Sequence, residues 1–209
     1  MVFKDKDRNY ALTNNGKIVS LKLIEFQNVA EVMTQYERFW LDHNIDDIPD
    51  HLLEKIGYLK NSYLEKITSS EIIKSHKSLN QSIKSAKSVK LVIPILSSDH
   101  MSGIQKIIEK NINTQIICTD FCLKKFIEMI GKETFDKLTF NHDFDMYTTD
   151  QKLDLAFLVT NEFFFLGLFS FDSLYDSSQD LNSTDIKAIE WGNELFEYYK
   201  GKARKYTSD

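Results

Sequence analysis

The sequence predicts an α/β protein in which a mixed sheet is flanked by helices and preceded by a long helix and a small helical layer. From residue 86 onward, β-branched and aromatic runs alternate with amphipathic segments, the order expected of strands and helices packed in layers. Residues 153–176 hold two apolar runs separated by Thr160-Asn161-Glu162, which predicts a buried hairpin. Before residue 86, apolar residues recur every three or four positions, which predicts helices.

Composition and charge limit the class of protein. A chain of 209 residues buries one substantial core, and its net charge of −5 argues against nucleic-acid binding by bulk electrostatics. The polar start Met1–Lys6 lacks the pattern of a secretory signal, and two cysteines are typical of a reducing compartment. The longest apolar run, Leu153–Phe171, is interrupted by charged and polar residues and does not read as a membrane-spanning helix. We therefore expect a cytoplasmic protein without membrane contact.

The first sixteen residues predict a short strand, a threonine cap at Thr13 and the entry to a helix. The pattern Tyr10-x-Leu12-Thr13-x-x-Gly16 resembles the last strand of the wing in winged-helix DNA-binding domains. We therefore interpret residues 1–16 as the remnant of a wing, ahead of which this chain has no recognition helix.

Residues 17–45 are interpreted as a linker and dimerisation helix, with the helix itself predicted over Lys17–His43. Two apolar stripes run along it, and Glu37 is the one polar residue within the first. One stripe would pack the helix on its own domain, and the other predicts a homodimer contact. The alternative is a helix buried deeply in a single core. The proposed dimer stripe contains Leu23, Phe26, Ala30, Met33 and Trp40, and the second stripe contains Val29, Val32, Tyr36 and Phe39.

Residues 46–209 are expected to form the α/β domain with its N-terminal helices. Its first part predicts an amphipathic helix over Leu52–Ile67, in which Gly57 indicates close packing by another backbone, and a further helix over Glu71–Ile83. The later predicted elements are the strand Val89–Leu96 with Pro94 at an edge or bulge, a helix ending at Asn111, the strand Thr114–Thr119, a helix Phe121–Leu138 capped by Asp120, the strand Thr139–Phe144, the hairpin strands Leu153–Val159 and Phe163–Phe171, and a helix from Asn182 or Ser183 to about Tyr206. Gly167 indicates a close approach by another element, and Trp191 with Gly192 indicates tight helix–sheet packing.

Several short strings occur together in one order: Phe39-Trp40-Leu41-x-His43 with Ile48-Pro49, Leu52-Leu53-x-x-Ile56-Gly57-x-Leu59, Pro94-Ile95, Gly167-Leu168-Phe169 with Tyr175-Asp176, and Ala188-x-x-Trp191-Gly192-x-x-Leu195-Phe196-x-Tyr198-Tyr199. Together they resemble archaeal winged-helix regulators whose sensor region is called the methanogenesis regulatory protein middle domain. The resemblance implies a dimeric, cytoplasmic transcription factor that senses an unknown small-molecule effector and contacts DNA through winged-helix heads. Ser173 stands where the family's glycine is expected, so the turn there could be shaped differently.

More distantly, the order of elements after Ala86 resembles a phospholipase D-type half. The catalytic motif of that family is His-x-Lys, and none of the five histidines is followed by lysine at the second position. No P-loop, dinucleotide turn or Ser–His–Asp order is present. Cys118-x-x-x-Cys122 does not match common zinc spacings. We expect no enzyme activity, cofactor or metal. The alternatives are a head-less dimerising interaction module and an enzyme on a phospholipase D-like scaffold.

Two sets of residues are candidates for binding the effector. Polar side chains follow two predicted strands, and neighbouring parallel strands would bring them to one rim beside helix N-termini. These residues are Ser97, Asp99, His100, Thr119 and Asp120. The alternative is that Ser97, Asp99 and Asp120 only cap helices. Aromatic and acidic residues at the far end of the hairpin could line the same cavity, although core packing and turn formation would also account for them. These residues are Phe169, Asp172 and Tyr175.

Overall fold

The computed structural model describes residues 1–4, 6–66, 83, 85–96, 98–140 and 143–207. Its strands are β1 Val2–Lys4, β2 Tyr10–Leu12, β3 Tyr63–Lys66, β4 Ser88–Ile93, β5 Asn113–Thr119, β6 Phe144–Thr149, β7 Leu155–Thr160, β8 Phe164–Leu168, β9 Gln179–Ser183 and β10 Arg204–Lys205. Its α-helices are α1 Asn14–Gln35, α2 Glu37–Leu41, α3 Asp50–Leu53, α4 Ser98–Glu109, α5 Asp120–Ile130, α6 Lys132–Thr139 and α7 Ile186–Lys200, and a 3₁₀ helix spans Ile56–Leu59. Most of the predicted helix Glu71–Ile83 lies outside the described residues.

The main sheet is mixed, as predicted, with the strand order β10-β6-β5-β4-β7-β8-β9-β3. Strands β4, β5 and β6 are parallel to one another, and every other pairing in the sheet is antiparallel. Strands β1 and β2 form a separate antiparallel hairpin directly before α1. The α/β fold class is confirmed.

Helices cover both faces of this sheet. On one face, α7 packs with the end of α1, with α2 and with α3 over the apolar side chains of β7 and β8. On the other face, α4, α5 and α6 pack over β4, β5 and β6. Within the described ranges, no helix is long and apolar enough to cross a membrane.

The hairpin β7–β8 lies inside the sheet, with β4 on one side and β9 on the other. Phe157 is opposite Leu166, and both side chains are buried. Coverage on both faces explains why this stretch is almost continuously apolar. The predicted hairpin is confirmed, with Asn161 in its turn.

The predicted helix Leu52–Ile67 is wrong. The chain instead forms α3, the 3₁₀ helix and then β3, which pairs with β9. A Cβ at Gly57 would lie 2.9 Å from Asn28 Cβ and 3.2 Å from Val29 N, so α1 passes directly over this glycine. The close backbone approach predicted for Gly57 is confirmed. The regular helix does not form, because the packing and strand pairing of this segment outweigh its local apolar pattern.

The predicted helix Phe121–Leu138 is two helices, α5 and α6, which Gly131 separates with a φ of +84°. This left-handed backbone interrupts helical hydrogen bonding and suits a residue without Cβ. The helix α5 is capped by Thr119, whose Oγ1 accepts from Cys122 N at 3.2 Å, and not by Asp120. The predicted strand Thr139–Phe144 is wrong at both ends, since α6 extends to Thr139 and β6 begins only at Phe144.

The region predicted as the start of the last helix is a strand. Residues Gln179–Ser183 form β9, and α7 begins only after Asp185, whose side chain accepts from Lys187 N. Four of the five residues of β9 are polar, and the strand is defined by its pairing with β8 and β3. Pro94 follows the end of β4, which is a central strand and not an edge.

The long helix divides at Tyr36 into α1 and α2. Val32, Tyr36 and Phe39 of the second stripe are buried in the core of the domain, and Val29 packs against it. Trp40 was predicted in the dimer stripe but packs in the same core with 8% of its surface exposed. Tyr36 leaves the helical backbone with φ −118° and ψ 32°, so the residue spacing of α1 does not continue to Trp40.

Ser173 has a φ of +62°, the left-handed region that glycine adopts without strain. The resemblance calls for glycine at this position, and a left-handed turn accounts for that preference. The turn thus has a glycine-type backbone although a serine occupies it, contrary to the expectation of a different shape. Lys152 Nζ donates to Ser173 Oγ at 2.6 Å and ties this turn to the start of β7.

Glycine-to-alanine substitutions test the helix–sheet packing. A Cβ at Gly192 would lie 2.4 Å from Phe164 Cδ2 and 3.0 Å from Val159 Cγ2 in the buried core. We expect Gly192→Ala to lower the free energy of unfolding by about 1–3 kcal/mol through overpacking. Urea denaturation measures this change.

Gly103 provides the matched control, because nothing lies within 4 Å of its Cβ position in α4. Gly103→Ala should raise stability by about 0.5–1 kcal/mol through helix propensity. Equal effects of the two substitutions would contradict the packing account.

Candidate functional site

The topology brings several predicted site residues to one edge of the sheet. The parallel strands β4, β5 and β6 end at this edge, and so does β8, because Leu155 at the start of β7 pairs with Leu168 at the end of β8. Thr119 and Asp120 follow β5, and Phe169 follows β8. Two strands, β4 and β7, lie between the two groups. Ser97 lies outside the described residues, as do the side chains of Asp99 and His100.

Thr119 and Asp120 both have structural partners. Thr119 caps α5, and Asp120 Oδ2 accepts from Arg204 Nη2 at 3.1 Å. A helix cap therefore accounts for Thr119, while Asp120, which was predicted as the cap, instead forms an ion pair with the C-terminal strand β10.

The aromatic residues after β8 do come together. Phe169 is buried, and its ring meets the ring of Tyr175 edge to face with centroids 5.3 Å apart. Asp172 is not part of this contact, since it is exposed in the turn and accepts from Ser170 Oγ. The predicted aromatic wall is thus limited to Phe169 and Tyr175.

The structure adds polar residues that the sequence analysis did not select. We call Glu65, Tyr175, Asp180 and Asn182 the β9 polar cluster. Glu65 lies directly opposite Asp180 in the β3–β9 pairing, and Asp180 and Asn182 share a strand face because they are two residues apart. Tyr175 Oη donates to Asp180 Oδ1 at 3.3 Å, and Asn182 Nδ2 donates to Glu65 Oε2 at 2.8 Å. The polar residues two positions apart in β9 were the available signal, but no strand was predicted there and the last helix was predicted to begin at Asn182 or Ser183.

Gly167 makes this arrangement possible. A Cβ there would lie 2.4 Å from Tyr175 Oη and 3.0 Å from Asp180 Oδ1. The tyrosine therefore crosses β8 over the glycine to reach the aspartate. This is the close approach predicted for Gly167, and it connects the hairpin to the β9 polar cluster.

Burial controls the ionisation of this cluster. Removal from water raises the pKa of Asp180 from 3.8 to about 7; Tyr175 opposes the shift by hydrogen bonding, while the charges of Glu65 and Asp176 add to it. Burial also raises the pKa of Tyr175 well above its usual value of 10, so the phenol remains a proton donor. Asp180 can thus change its charge near neutral pH.

His43 links the same region to the helical layer. Its Nδ1 lies 2.6 Å from Phe39 O, and its Nε2 lies 3.1 Å from Asp176 Oδ2. Both partners are hydrogen-bond acceptors, so a ring that carries protons on both nitrogens donates to both. Asn44 N also donates to Phe169 O at 2.8 Å. The end of α2 is therefore fastened to the loop that carries Tyr175.

Other features of the described residues stand apart from this region. A shallow groove of about 420 Å³ lies between α3 and α7 and contains none of the predicted site residues. No group of three or more His, Cys, Asp or Glu in the described part of the chain could hold a metal ion. Cys118 and Cys122 are buried free thiols, and burial raises the pKa of Cys118 to about 12. The groove is lined by His51, Asn193, Glu194, Glu197 and Tyr198.

Comparison with known proteins identifies the family of this α/β domain. The methanogenesis regulatory protein FilR1 of Methanothrix harundinacea (strain 6Ac) is 26% identical over 201 residues, which cover 95% of this chain and 45% of that protein. The family model of the middle domain of methanogenesis regulatory protein FilR1 matches residues 72–202, which are more than half of the chain. The chain belongs to this family, as the sequence motifs predicted. It spans less than half the length of the relative.

Two solved structures are also similar. TrmBL2, an archaeal chromatin protein, matches with a TM-score of 0.53 and 16% identity over 99% of this chain and 76% of its own. At that identity, the likeness concerns the fold alone. Nuc from Salmonella typhimurium, a phospholipase D family member, matches with a TM-score of 0.47 and 15% identity over 70% of this chain and 99% of its own.

The raised pKa of Asp180 gives a testable pH dependence. Between about pH 4 and pH 7, the folded chain keeps a proton that the unfolded chain releases, so the free energy of unfolding falls as pH rises. The loss from this group is at most about 4 kcal/mol. Asp180→Asn should lack this loss and should therefore gain stability relative to the natural chain as pH rises. Urea denaturation at pH 5 and pH 8 measures the difference.

Asp150→Asn is the control, because Asp150 is an exposed carboxylate at the same edge of the sheet. Its stability should follow that of the natural chain at both pH values. Parallel pH profiles for Asp180→Asn and the natural chain would show that Asp180 ionises normally.

Proposed function

We propose that this chain is the effector-sensing and dimerisation domain of a transcriptional regulator and that it relays effector binding to DNA-binding heads. The exposed apolar face of α1 is the observation that carries the proposal. A helix with a large apolar surface in water requires a partner. Family membership supports the regulatory role, and the greater length of the relative leaves room for further domains in a whole regulator.

The exposed face has the spacing of a helix–helix contact. Leu23 and Phe26 are 62% and 72% exposed, and Met33 is also exposed. These residues and Ala30 recur at alternating three- and four-residue steps, which is the spacing of a coiled-coil seam. The small side chain of Ala30 allows two helices to approach closely at the centre. We take a second copy of the chain as the partner, because a two-fold axis pairs such a stripe with itself.

The inner stripe of the same helix connects the dimer face to the domain. Val32 and Tyr36 are buried against the 3₁₀ helix and the core of the sheet domain. A displacement of α2 would therefore change the direction of α1. Because α1 is 22 residues long, a small change at its base becomes a larger displacement at its far end.

The contact of His43 with Asp176 is the proposed start of this relay. Asp176 belongs to the loop that carries Tyr175, and His43 follows α2. An effector that binds one arrangement of the loop better than the other would favour one arrangement of α2 and α1. Regulation then corresponds to a shift between two populations of the dimer. DNA contact would come from the winged-helix heads and not from this acidic domain.

Substitution in the exposed stripe tests dimerisation. Phe26→Glu should raise the dimer dissociation constant at least about a hundredfold, because two phenyl groups lose a buried environment. Analytical ultracentrifugation over a range of protein concentrations measures the constant. Phe140→Glu is the control, since Phe140 is 75% exposed on a different surface. A natural chain that is monomeric at all concentrations, or equal weakening by both substitutions, would rule out this interface.

Loss of the His43 contact tests the relay. We expect His43→Ala to lower the free energy of unfolding by about 2–3 kcal/mol, because the Asp176 carboxylate loses a buried partner. Hydrogen exchange should become faster in α2 and in residues 169–176 together. Arg38→Ala is the control on the same helix, since it removes only the exposed ion pair with Asp42 and should cost less than about 1 kcal/mol. Faster hydrogen exchange in only one of these two segments would show that α2 and residues 169–176 are not coupled.

A further inference from the structure

Three sulfur-bearing side chains meet on the face of the sheet that α4, α5 and α6 cover. Met146 of β6 pairs with Ile116 of β5, and Cys118 lies two residues further along β5 on the same strand face. Cys122 lies in the first turn of α5, which packs over this face. The two cysteines are 3% exposed and Met146 is 2% exposed. Because strand pairing brings Met146 to the cysteines, the spacing of the cysteines in the sequence did not predict this group.

A small buried cavity lies between these side chains. It has a volume of about 10 Å³, and Cys118, Cys122 and Met146 all line it. The other described residues in its wall are isoleucine, leucine and phenylalanine. A space of this size holds at most one small ion or molecule, and thiols and thioethers are weak hydrogen-bonding groups, so water is a poor occupant. The cavity suits a single ion that binds to sulfur.

Two of the sulfur atoms have the separation of two ligands on one metal ion. Cys118 Sγ lies 3.9 Å from Met146 Sδ. With a metal–sulfur bond of about 2.3 Å, as for zinc, two sulfur ligands of a trigonal or tetrahedral site are about 3.8–4.0 Å apart. The third sulfur atom, Cys122 Sγ, donates to Pro94 O at 3.1 Å. Both cysteines are weak S–H donors in these contacts, and metal–sulfur bonds would replace them.

From this geometry we infer that Cys118, Cys122 and Met146 together bind one copper(I) ion. Thiolate and thioether sulfur are soft ligands, which favour Cu(I) over harder metal ions. Zinc is a poorer match, because structural zinc sites use four ligands of nitrogen, thiolate sulfur or carboxylate oxygen, and the described wall supplies two thiols. Magnesium and calcium require oxygen ligands.

Binding exchanges protons for the metal without a change of oxidation state. The S–H bonds of Cys118 and Cys122 break, two S–Cu bonds form, and both protons pass to the solvent. Met146 adds a lone pair of its sulfur to the same copper ion. Two thiolates and one Cu(I) leave one negative charge at the centre. The first turn of α5 is the positive end of the helix dipole, which favours a negative charge at this position.

The site lies close to a sheet edge from which a metal ion can enter. Cys118 pairs with Ile93, the last residue of β4, and is followed by Thr119, which is partly exposed at the end of β5. Local opening of the first turn of α5 would therefore expose the sulfur atoms. The site is independent of the proposed sensing function, since it faces the layer of α4, α5 and α6 and not that of α1 and α2.

Anaerobic titration of the intact chain tests the site, with Cu(I) supplied as its bicinchoninate complex. We expect each chain to withdraw one Cu(I) from this complex, and X-ray absorption to show only sulfur ligands at the copper. Cys122→Ser should bind Cu(I) at least about a hundredfold more weakly, because a hydroxyl is a hard ligand. Met146→Leu keeps the side-chain volume without the sulfur atom and should bind at least about tenfold more weakly.

Met101→Leu is the matched control. Met101 is 4% exposed in the same apolar cluster, but it does not line the cavity. This variant should bind Cu(I) like the natural chain. Circular dichroism identifies the variants that fold, and the comparison of Met146→Leu with Met101→Leu remains decisive if Cys122→Ser does not fold.

The possible outcomes separate the parts of the inference. Failure of the natural chain to withdraw Cu(I), or nitrogen or oxygen ligands at the bound copper, would overturn the sulfur site. Equal affinity of folded Met146→Leu and the natural chain would overturn Met146 as a ligand. Displacement of Cu(I) by an equal concentration of Zn(II) would overturn the assignment to copper. Weaker binding in Met146→Leu with unchanged binding in Met101→Leu would support the three-sulfur site.

Discussion

The contact of Trp191 with three layers of the domain holds this structure together. The indole is fully buried, its ring meets Phe164 of β8 edge to face at 5.7 Å, and its Nε1 donates to Leu52 O at 2.9 Å. One side chain therefore joins α7, the central hairpin and the small helical layer. Gly192 beside it allows α7 to lie directly on Phe164. The position of α2, and with it His43, depends on this close packing.

The apolar core and the β9 polar cluster have different roles in the domain. The apolar face of β8 is fixed by Phe164 and Leu166, while its opposite face has Phe165 and Gly167, and Gly167 lies beneath Tyr175 and Asp180. Interactions in a buried polar cluster are strong but sensitive to a single proton or charge, because the local dielectric is low. The contacts of Gln179 and His43 with Asp176 connect this cluster to the end of α2.

Local sequence patterns predicted the hairpin and two close backbone contacts but did not predict two of the strands. The hairpin was predicted because its residues are apolar on both faces, and Gly57 and Gly167 were recognised because a missing side chain indicates a close neighbour. Strands β3 and β9 were missed. Residues such as Asp180 and Asn182 are polar, and pairing makes them part of a strand. Strand β9 pairs with β8, which is close in the sequence, and with β3, which is more than a hundred positions away. No strand was predicted over residues 179–181 and a helix was predicted from Asn182 or Ser183, so the β9 polar cluster was overlooked.

The sequence alone determined the class of fold, the family and the two stripes of the long helix, because these depend on periodicity and on motifs that are local in the chain. The tertiary structure decided which stripe is buried, that Trp40 faces inward, and that Glu65, Tyr175, Asp180 and Asn182 meet. The physical reason is that burial, charge repulsion and pKa are properties of neighbours in space. Neighbours from distant segments are set by strand pairing and helix packing, which no local pattern specifies.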